Sequence, residues 1–448
     1  MINSNLETFQ MNLTFERSFL PARSSNIKIV AAVKGQITPE AFHNAVTKLA
    51  LKHPLLRSRV IVRSDGSAYL TTEGGCCPKV IIKEERTTED IFEAIYQEDL
   101  QPANWENDPT SRFFLFGKTG NQHIIVAYIH HTVADGRSVA FVMQHLLSLI
   151  ANPSQEVKIL PPISMLDAVP SDIKISKMLT KLLGMINKKW GKEKITFTMK
   201  DFLQVAQEKY TQGPEIYVDK SLTREETNQL RQKARNHGVS VNAMILAASI
   251  LAKEIEEKAS SPNKVGFAVD VRKKLTKNTG EACNLLASGL MVNPKYKRGM
   301  TFWELARNIH IKTLKNIKSN KKLFMKRVMA PLMDPTFNDA MYMMQQSSWE
   351  GTPMLKKMGN KKSPVGAVLT NLGGLSLPLD YLGQTPIKLQ DAIFFPPIGV
   401  DSVIEIGASS LAGKLHLVTQ SKQDAQNQLV KEKILVKIIE ILQKNTQQ

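Results

Sequence analysis

The chain has 448 residues, 42% hydrophobic and 22% charged, and its 59 Lys and Arg against 41 Asp and Glu leave a formal charge of +18. This is ordinary globular composition, which excludes wholesale disorder, and the length supplies two or three compact lobes that need neither disulfides nor metal to fold. Three cysteines, two of them adjacent at Cys76 and Cys77, exclude a disulfide framework and favour a reducing compartment.

The N-terminus shows no apolar region behind a basic flank, so no secretory signal is read there. Ile27–Val33 is apolar and β-branched, as a strand prefers. Thr38-Pro39-Glu40 is an N-cap with proline at the first helical position, and the helix continues through Ala50 until Lys52-His53-Pro54 stops it. Arg112–Gly117 and His123–His131 read as two strands joined across Thr119-Gly120-Asn121, and the nearly continuous apolar run of the second suits burial on both faces. Ser138–Ile150 follows as a helix, then a proline-containing crossover spans Pro153 to Pro170.

A helix is expected from Ile175 to Trp190, with Ile175, Met178, Leu179, Leu182, Leu183, Ile186 and Trp190 forming a core-facing stripe and Lys177, Lys181 and Lys188 placed elsewhere on the turn. A second α/β pattern starts near Ile216. Thr223-Arg-Glu-Glu226 is a capping box opening a helix that ends at His237-Gly238, and Ser240 caps the next, running to about Glu257. That helix contains the longest apolar stretch, Val239–Ala252, which is broken by Ser240, Asn242 and Ser249 and falls short of the roughly 20 residues a bilayer requires. Lys264–Val271 reads as a strand and Thr301-Phe-Trp-Glu304 as another capping box. Strands near Ala367–Thr370, Ala392–Phe395, Ser402–Ala408 and Leu411–Gln420 precede a closing helix, Ala425–Gln443. The reading is α/β (α+β) in two lobes, with the first at 1–170, a basic linking helix at 171–209 and the second at 210–448.

The positive charge is concentrated. Lys174–Lys200 holds eight lysines and one acid, and Lys295–Arg327 holds eleven Lys or Arg and one acid, so the two segments carry +17 of the +18. The first is a solvated face over a core stripe, a contact for an anionic membrane surface, a dock for an acidic carrier protein, or an attractor of coenzyme A phosphates. The clustered cations also admit a basic nucleic-acid-binding protein, but aromatic content is only 6% and no nucleic-acid motif is present, so no specific nucleic acid is expected.

The sharpest motif is H-H-T-V-A-D-G, His130–Gly136, at the end of the buried strand. Side chains alternate along a strand, so His131 shares a face with Ile129, Ala127 and Ile125 while His130 points the other way. One imidazole can face a cleft while its neighbour packs, and a pKa near 6.5 suits a general base. Opposed faces also separate the two rings as metal ligands, so no metal is expected. Cys76-Cys77 has neither CxxC spacing nor a nearby His, and Gly373-Gly374 lacks the spacing of a phosphate loop.

These seven residues resemble the HHxxxDG motif of the chloramphenicol acetyltransferase-like superfamily, which includes condensation domains of nonribosomal peptide synthetases, polyketide-associated acyltransferases, wax ester synthases and alcohol acyltransferases. Gly35–Arg59 is similar to that superfamily's first helix and the HPxLR turn after it, and Leu222–Ala243 to its entry into the second lobe. Val269–Arg272, with Asn284 beyond it, sits where the family carries an arginine that pairs with the motif aspartate. Thr370–Leu375 with Phe394–Pro397 looks closest to the polyketide-associated and alcohol acyltransferase branch. The resemblance covers about residues 27–420. The motif block differs from the peptide-synthetase pattern at its end, and T-N-L-G-G-L lacks the DFGWG of plant acyltransferases.

The resemblance implies two lobes forming a pseudo-dimer, with a tunnel between them reached by donor and acceptor from opposite sides. It implies His131 as general base without a covalent acyl-enzyme, in keeping with the absence of a G-x-S-x-G signature. His130 becomes structural, Asp135 is held by Arg272 across the lobes, Gly136 leaves room for substrate, and Thr370, Asn371 and Asn284 become candidates for the tunnel wall. The implied donor is acyl-coenzyme A or a phosphopantetheinyl acyl carrier, with no permanently bound cofactor, and the acceptor is an alcohol, an amine being the alternative. The expected protein is a cytoplasmic monomer, with peripheral membrane contact as the alternative.

Overall fold

A computed structural model describes residues 7–20, 25–74, 77–84, 87–100, 106–118, 121–210, 215–257, 264–358, 365–397, 402–422 and 425–447. In chain order the first part contains β1 (Gln10–Leu13), β2 (Asn26–Gly35), α1 (Pro39–Lys52), β3 (Arg59–Val62), β4 (Ala68–Thr71), β5 (Lys79–Lys83), α2 (Thr88–Leu100), β6 (Ser111–Lys118), β7 (Gln122–His130) and α3 (Gly136–Ala151). The crossover leads to α4 (Lys177–Trp190) and α5 (Met199–Tyr210). The second part contains β8 (Glu215–Leu222), α6 (Arg224–Asn236), α7 (Val241–Glu257), β9 (Val265–Asp270), β10 (Ala287–Val292), α8 (Phe302–Ile317), α9 (Asn320–Met329), α10 (Pro335–Gln346), α11 (Pro353–Met358), β11 (Val365–Gly374), β12 (Asp380–Tyr381), β13 (Ile387–Phe395), β14 (Ser402–Leu411), β15 (Lys414–Lys422) and α12 (Ala425–Gln447). Cys76 and the Thr119-Gly120 joint lie outside the described residues.

The caps explain where the main helices begin. Thr38 accepts from the Ala41 N–H ahead of α1, both capping boxes are formed, at Thr223/Glu226 and Thr301/Glu304, and Gly238 takes φ +63 after α6. Two six-stranded sheets result, ordered β12-β13-β2-β7-β6-β5 and β10-β9-β11-β14-β15-β8, with a small sheet β1-β4-β3 beside the first. β7 is buried on both faces as its composition requires. Ile125, Ala127 and Ile129 join the core under α1 and α3, and Val126 and Tyr128 join a smaller core with Ile91 and Ile95 of α2. The second sheet packs against α7 and α12 through Met244, Ile245, Ile434 and Ile438. Among the described residues no single helix is long and apolar enough to cross a membrane.

Three sequence expectations change. The division at 170 and 210 does not partition the sheets, because β12 and β13 return to the first sheet and pair beside β2, while Phe337, Ala340, Met343 and Leu355 of α10 and α11 enter the first core. α3 starts at Gly136, not Ser138, because Asp135 serves as its N-cap. The stripe assigned to the core on the helix before Trp190 is not a core stripe: only Leu183 and Trp190 of α4 are buried, since the seven apolar residues span an arc wider than the edge that meets the body.

The two large sheets are clamped by a buried histidine. His416 of β15 presents Nδ1 to the Asp219 carboxylate of β8 at 3.1 Å and Nε2 to Asp391 of β13 at 3.1 Å, and Lys414 donates to Asp391 at 2.9 Å. Asp391 sits at the register shift between Leu389 and Asp391, which turns it toward the other sheet. Burial alone would lower the His416 pKa, but the two carboxylates overcome it and push it up to about 9. A raised folded-state value makes the clamp fully stabilising below the unfolded value near 6.5, and the stabilisation is lost as pH rises through about 9. Denaturant unfolding is therefore expected to show roughly 2 kcal/mol less stability near pH 10 than near pH 6.5. His416→Gln should flatten that alkaline limb; an unchanged limb would mean that the imidazolium does not bridge the sheets.

Candidate active site

The H-H-T-V-A-D-G segment leaves β7 at the point where backbone pairing ends. His130 is the last strand residue, opposite Asn26, and the His131 N–H donates to the Ser25 carbonyl at 2.7 Å. A tight turn follows, with the Val133 N–H donating to the His130 carbonyl at 3.1 Å, and Asp135 opens α3 by accepting from the Ser138 N–H at 2.8 Å.

The two histidines have different surroundings, as strand parity requires. His130 is fully buried, and its Nδ1 accepts from the Thr132 N–H at 3.3 Å and lies 2.7 Å from the Thr132 hydroxyl, so the ring is committed to holding the turn. His131 is half-buried, with Nδ1 2.6 Å from the Ala134 carbonyl. A carbonyl can only accept, so Nδ1 carries the proton, and in the neutral ring Nε2 holds a free lone pair. Burial pushes the His131 pKa below the usual histidine range. The Ala134 bond and Asp135 oppose the shift, and Arg327 adds to it. The imidazole is thus neutral at pH 7, with Nε2 as the basic atom.

Asp135 is the hub behind that ring. Its two oxygens accept from both terminal nitrogens of Arg272 at 3.0 Å each, and Oδ2 also accepts from the Leu286 N–H at 2.8 Å. Burial alone would raise the carboxyl, but Arg272 and the Ser138 and Leu286 N–H donors hold it below the usual carboxylate range. Arg272 further donates to the Ser138 hydroxyl at 2.8 Å and to Asp270 at 3.0 Å. The turn that joins β7 to α3 and the arginine that follows β9 of the second sheet are therefore tied at one carboxylate.

The remaining predicted positions do other work. Asn284 is buried. Its carbonyl accepts from the Asp135 N–H at 3.2 Å and the Ser138 hydroxyl at 2.6 Å, and its side-chain oxygen accepts from the Ile163 N–H at 3.1 Å. That side chain fastens the crossover to the motif. A Cβ on Gly136 would come within 2.6 Å of Leu372 Cδ2 and 3.0 Å of Phe394, so the glycine admits neighbouring core side chains and the space beside it is filled. Asn371 donates to the Asn242 side-chain oxygen at 2.6 Å and accepts from the Gly373 N–H at 2.7 Å, shaping the end of β11, and Thr370 is half-buried beside it.

Sequence reasoning missed the wall over His131. A helical turn at Glu16–Phe19 places Phe19 with its ring centre 4.3 Å from that of the His131 imidazole, and Phe15 meets Phe19 edge-on at 5.8 Å. Arg327 of α9 lies over Phe15 at 4.3 Å, pairs with Glu16 at 2.6 Å, and donates to the Leu285 and Ala287 carbonyls at 3.1 and 2.9 Å. Arg17 pairs with Asp339 through two nitrogens. Arg327 closes the second basic segment of the sequence, yet it is buried and braces the backbone from Leu285 to Ala287 at the start of β10. The only sequence signal was an Glu-Arg pair set between Phe15 and Phe19, four residues apart. Beside this wall is a cavity of about 520 Å³ between β1, Glu16, the crossover at Ser164–Asp167 and Pro331. Among the described residues no group of three or more His, Cys, Asp or Glu could hold a metal ion, and Cys283 is buried with its thiol 3.6 Å from the Val133 carbonyl.

Two family descriptions match the chain: "Condensation domain" over residues 6–162 and "Phthiocerol/phthiodiolone dimycocerosyl transferase C-terminus" over residues 217–318. Tyrocidine synthase 3 of Brevibacillus parabrevis is 26% identical over 134 residues, 29% of this chain, and bacitracin synthase 3 of Bacillus licheniformis is 27% identical over 141 residues, 32% of this chain. Each match spans only 2% of the length of these relatives. Among solved structures, the trichothecene 15-O-acetyltransferase of Fusarium sporotrichioides aligns over 99% of this chain and 97% of its own, with TM-score 0.67 and 13% identity. Polyketide synthase associated protein 5 from Mycobacterium tuberculosis aligns over 98% of both chains, with TM-score 0.60 and 18% identity. The first condensation domain of the CDA synthetase aligns over 99% of this chain and 98% of its own, with TM-score 0.65 and 13% identity. These likenesses carry the fold, two chloramphenicol acetyltransferase-like lobes arranged as a pseudo-dimer.

Proposed function

We propose that the chain, which matches a condensation-domain description over residues 6–162 and a dimycocerosyl transferase C-terminal description over residues 217–318, is an acyltransferase of the condensation-domain, chloramphenicol acetyltransferase-like superfamily that moves an acyl group from a thioester donor to an alcohol. The observation that carries this reading is the Nδ1–H bond from His131 to the Ala134 carbonyl at 2.6 Å, which leaves Nε2 free as a base in a neutral ring. Nε2 takes the acceptor's hydroxyl proton as the oxygen attacks the thioester carbonyl. The tetrahedral intermediate collapses with cleavage of the C–S bond, and the imidazolium returns the proton to the departing thiolate. No acyl-enzyme and no resident cofactor enter the cycle. Asp135, held by Arg272, fixes the backbone next to Ala134 and so the orientation of the ring, acting as a positioning residue.

Ester formation is favoured over amide formation because a 15-O-acetyltransferase aligns along 99% of the chain and the second family description is that of a dimycocerosyl transferase. The amide alternative rests on the first family description and the two peptide synthases. The donor is coenzyme A or a phosphopantetheinyl carrier, and the substrates meet at His131 in the cleft between the lobes. The test is mass spectrometry of products from a panel of acyl thioesters offered to alcohols and to amines. Esters carrying the donor's acyl group are expected, whereas amides alone, or only free acid, would overturn the reading.

A further inference from the structure

α4 carries its apolar residues on the outside. Met178, Leu182 and Met185 are 82%, 50% and 53% exposed, and their spacing puts them in one narrow arc of the helix surface. Leu183 and Trp190 lie on one flank of that arc and anchor the helix: both are buried, and the Trp190 indole donates to the Thr336 hydroxyl at 2.8 Å and meets Phe337 edge-on. Asn187 donates to the Leu332 carbonyl at 2.8 Å, which brings another exposed apolar side chain, Leu332, to the same end. On the opposite flank stand Lys177, Lys181 and Lys188, all exposed, and no acid occurs between Lys174 and Lys192.

We infer that α4 is an interfacial helix that rests on an anionic lipid surface. A ridge of large apolar side chains beside a row of lysines is what such a surface accepts: the ridge enters the boundary between headgroups and acyl chains, and the lysines reach the headgroup phosphates. The helix is fixed to the body on its other side, so it is presented ready-formed. A protein partner of the same charge is the weaker fit. Lys189 stands within the ridge, and Thr180 and Gly184 lie beyond the lysine row on the side away from it, so the outer face offers a partner charge and apolar surface but little directional hydrogen bonding, and lipid headgroups need only the charge. This binding is independent of the chemistry at His131.

Vesicle sedimentation tests it. The 448-residue chain is expected to sediment with phosphatidylcholine vesicles containing roughly 30% phosphatidylglycerol, to ignore pure phosphatidylcholine, and to be released as salt rises from about 50 to 500 mM. The variant Met178→Gln/Leu182→Gln/Met185→Gln should bind at least about tenfold more weakly with an unchanged melting temperature, since these side chains are exposed. Lys177→Glu/Lys181→Glu/Lys188→Glu should abolish binding, and neither variant should alter turnover of a water-soluble acceptor. Failure of the wild type to sediment, or sedimentation of the apolar variant as well as the wild type, would overturn the proposal. So would capture of an acidic acyl carrier protein, lost in the same variants, without vesicle binding.

Discussion

Replacing His131 with alanine is expected to lower kcat/KM by about 10²–10⁴-fold, the usual contribution of a general base, while leaving the melting temperature within a few degrees of wild type. The expectation follows from the two histidines' unequal commitments. His131 spends one hydrogen bond on the Ala134 carbonyl and keeps Nε2 free, whereas His130 is fully buried against Thr132. His130→Ala should therefore lose stability first and activity only through it. The pH profile gives an independent reading. Burial depresses the His131 pKa, so the acid limb of kcat/KM should fall below the ordinary histidine value of about 6.5, and the rate should be flat through pH 7. Near wild-type turnover in purified His131→Ala protein would sink the mechanism.

Much of this arrangement was legible because its causes are local. The apolar run of β7, the caps at Thr38, Thr223 and Thr301, and the parity of His130 and His131 are all set by neighbours within a few residues. The Asp135–Arg272 pair was legible only through resemblance, since 137 positions separate the partners. What escaped was decided by tertiary packing. Helical periodicity marks which residues of α4 are apolar, but only the body's position decides that Met178 and Leu182 face out while Trp190 faces in. Nothing in the local sequence shows that β13 pairs with β2, that Arg327 leaves a row of surface cations to reach Glu16, or that Leu372 and Phe394 fill the space beside Gly136.

Breaking the Asp135–Arg272 pair should cost stability and activity together. Both side chains are nearly inaccessible, at 2% and 9% exposure, and removing one partner of a buried pair costs roughly 3–5 kcal/mol because the other charge is left uncompensated. The two single variants are not equivalent. Asp135→Asn leaves Arg272 with Asp270 and the Ser138 hydroxyl, while Arg272→Met leaves the carboxylate with the Ser138 and Leu286 N–H donors. Each should lower stability and activity together, because Asp135 anchors the backbone beside Ala134, whose carbonyl orients His131. The double variant should lose less than the sum of the singles, and strict additivity would mean that the two groups do not interact. A pH series adds a sign. The wild-type carboxyl is held below its usual value, so its stabilisation is present above an unfolded pKa of about 3.9 and is lost as pH falls through the folded value. Arg272→Met has already lost the guanidinium that depresses that value. The stability gap between wild type and Arg272→Met should therefore be widest near neutrality and should narrow as the pH drops below about 4; a constant gap would assign the loss to packing of the arginine side chain instead of its charge.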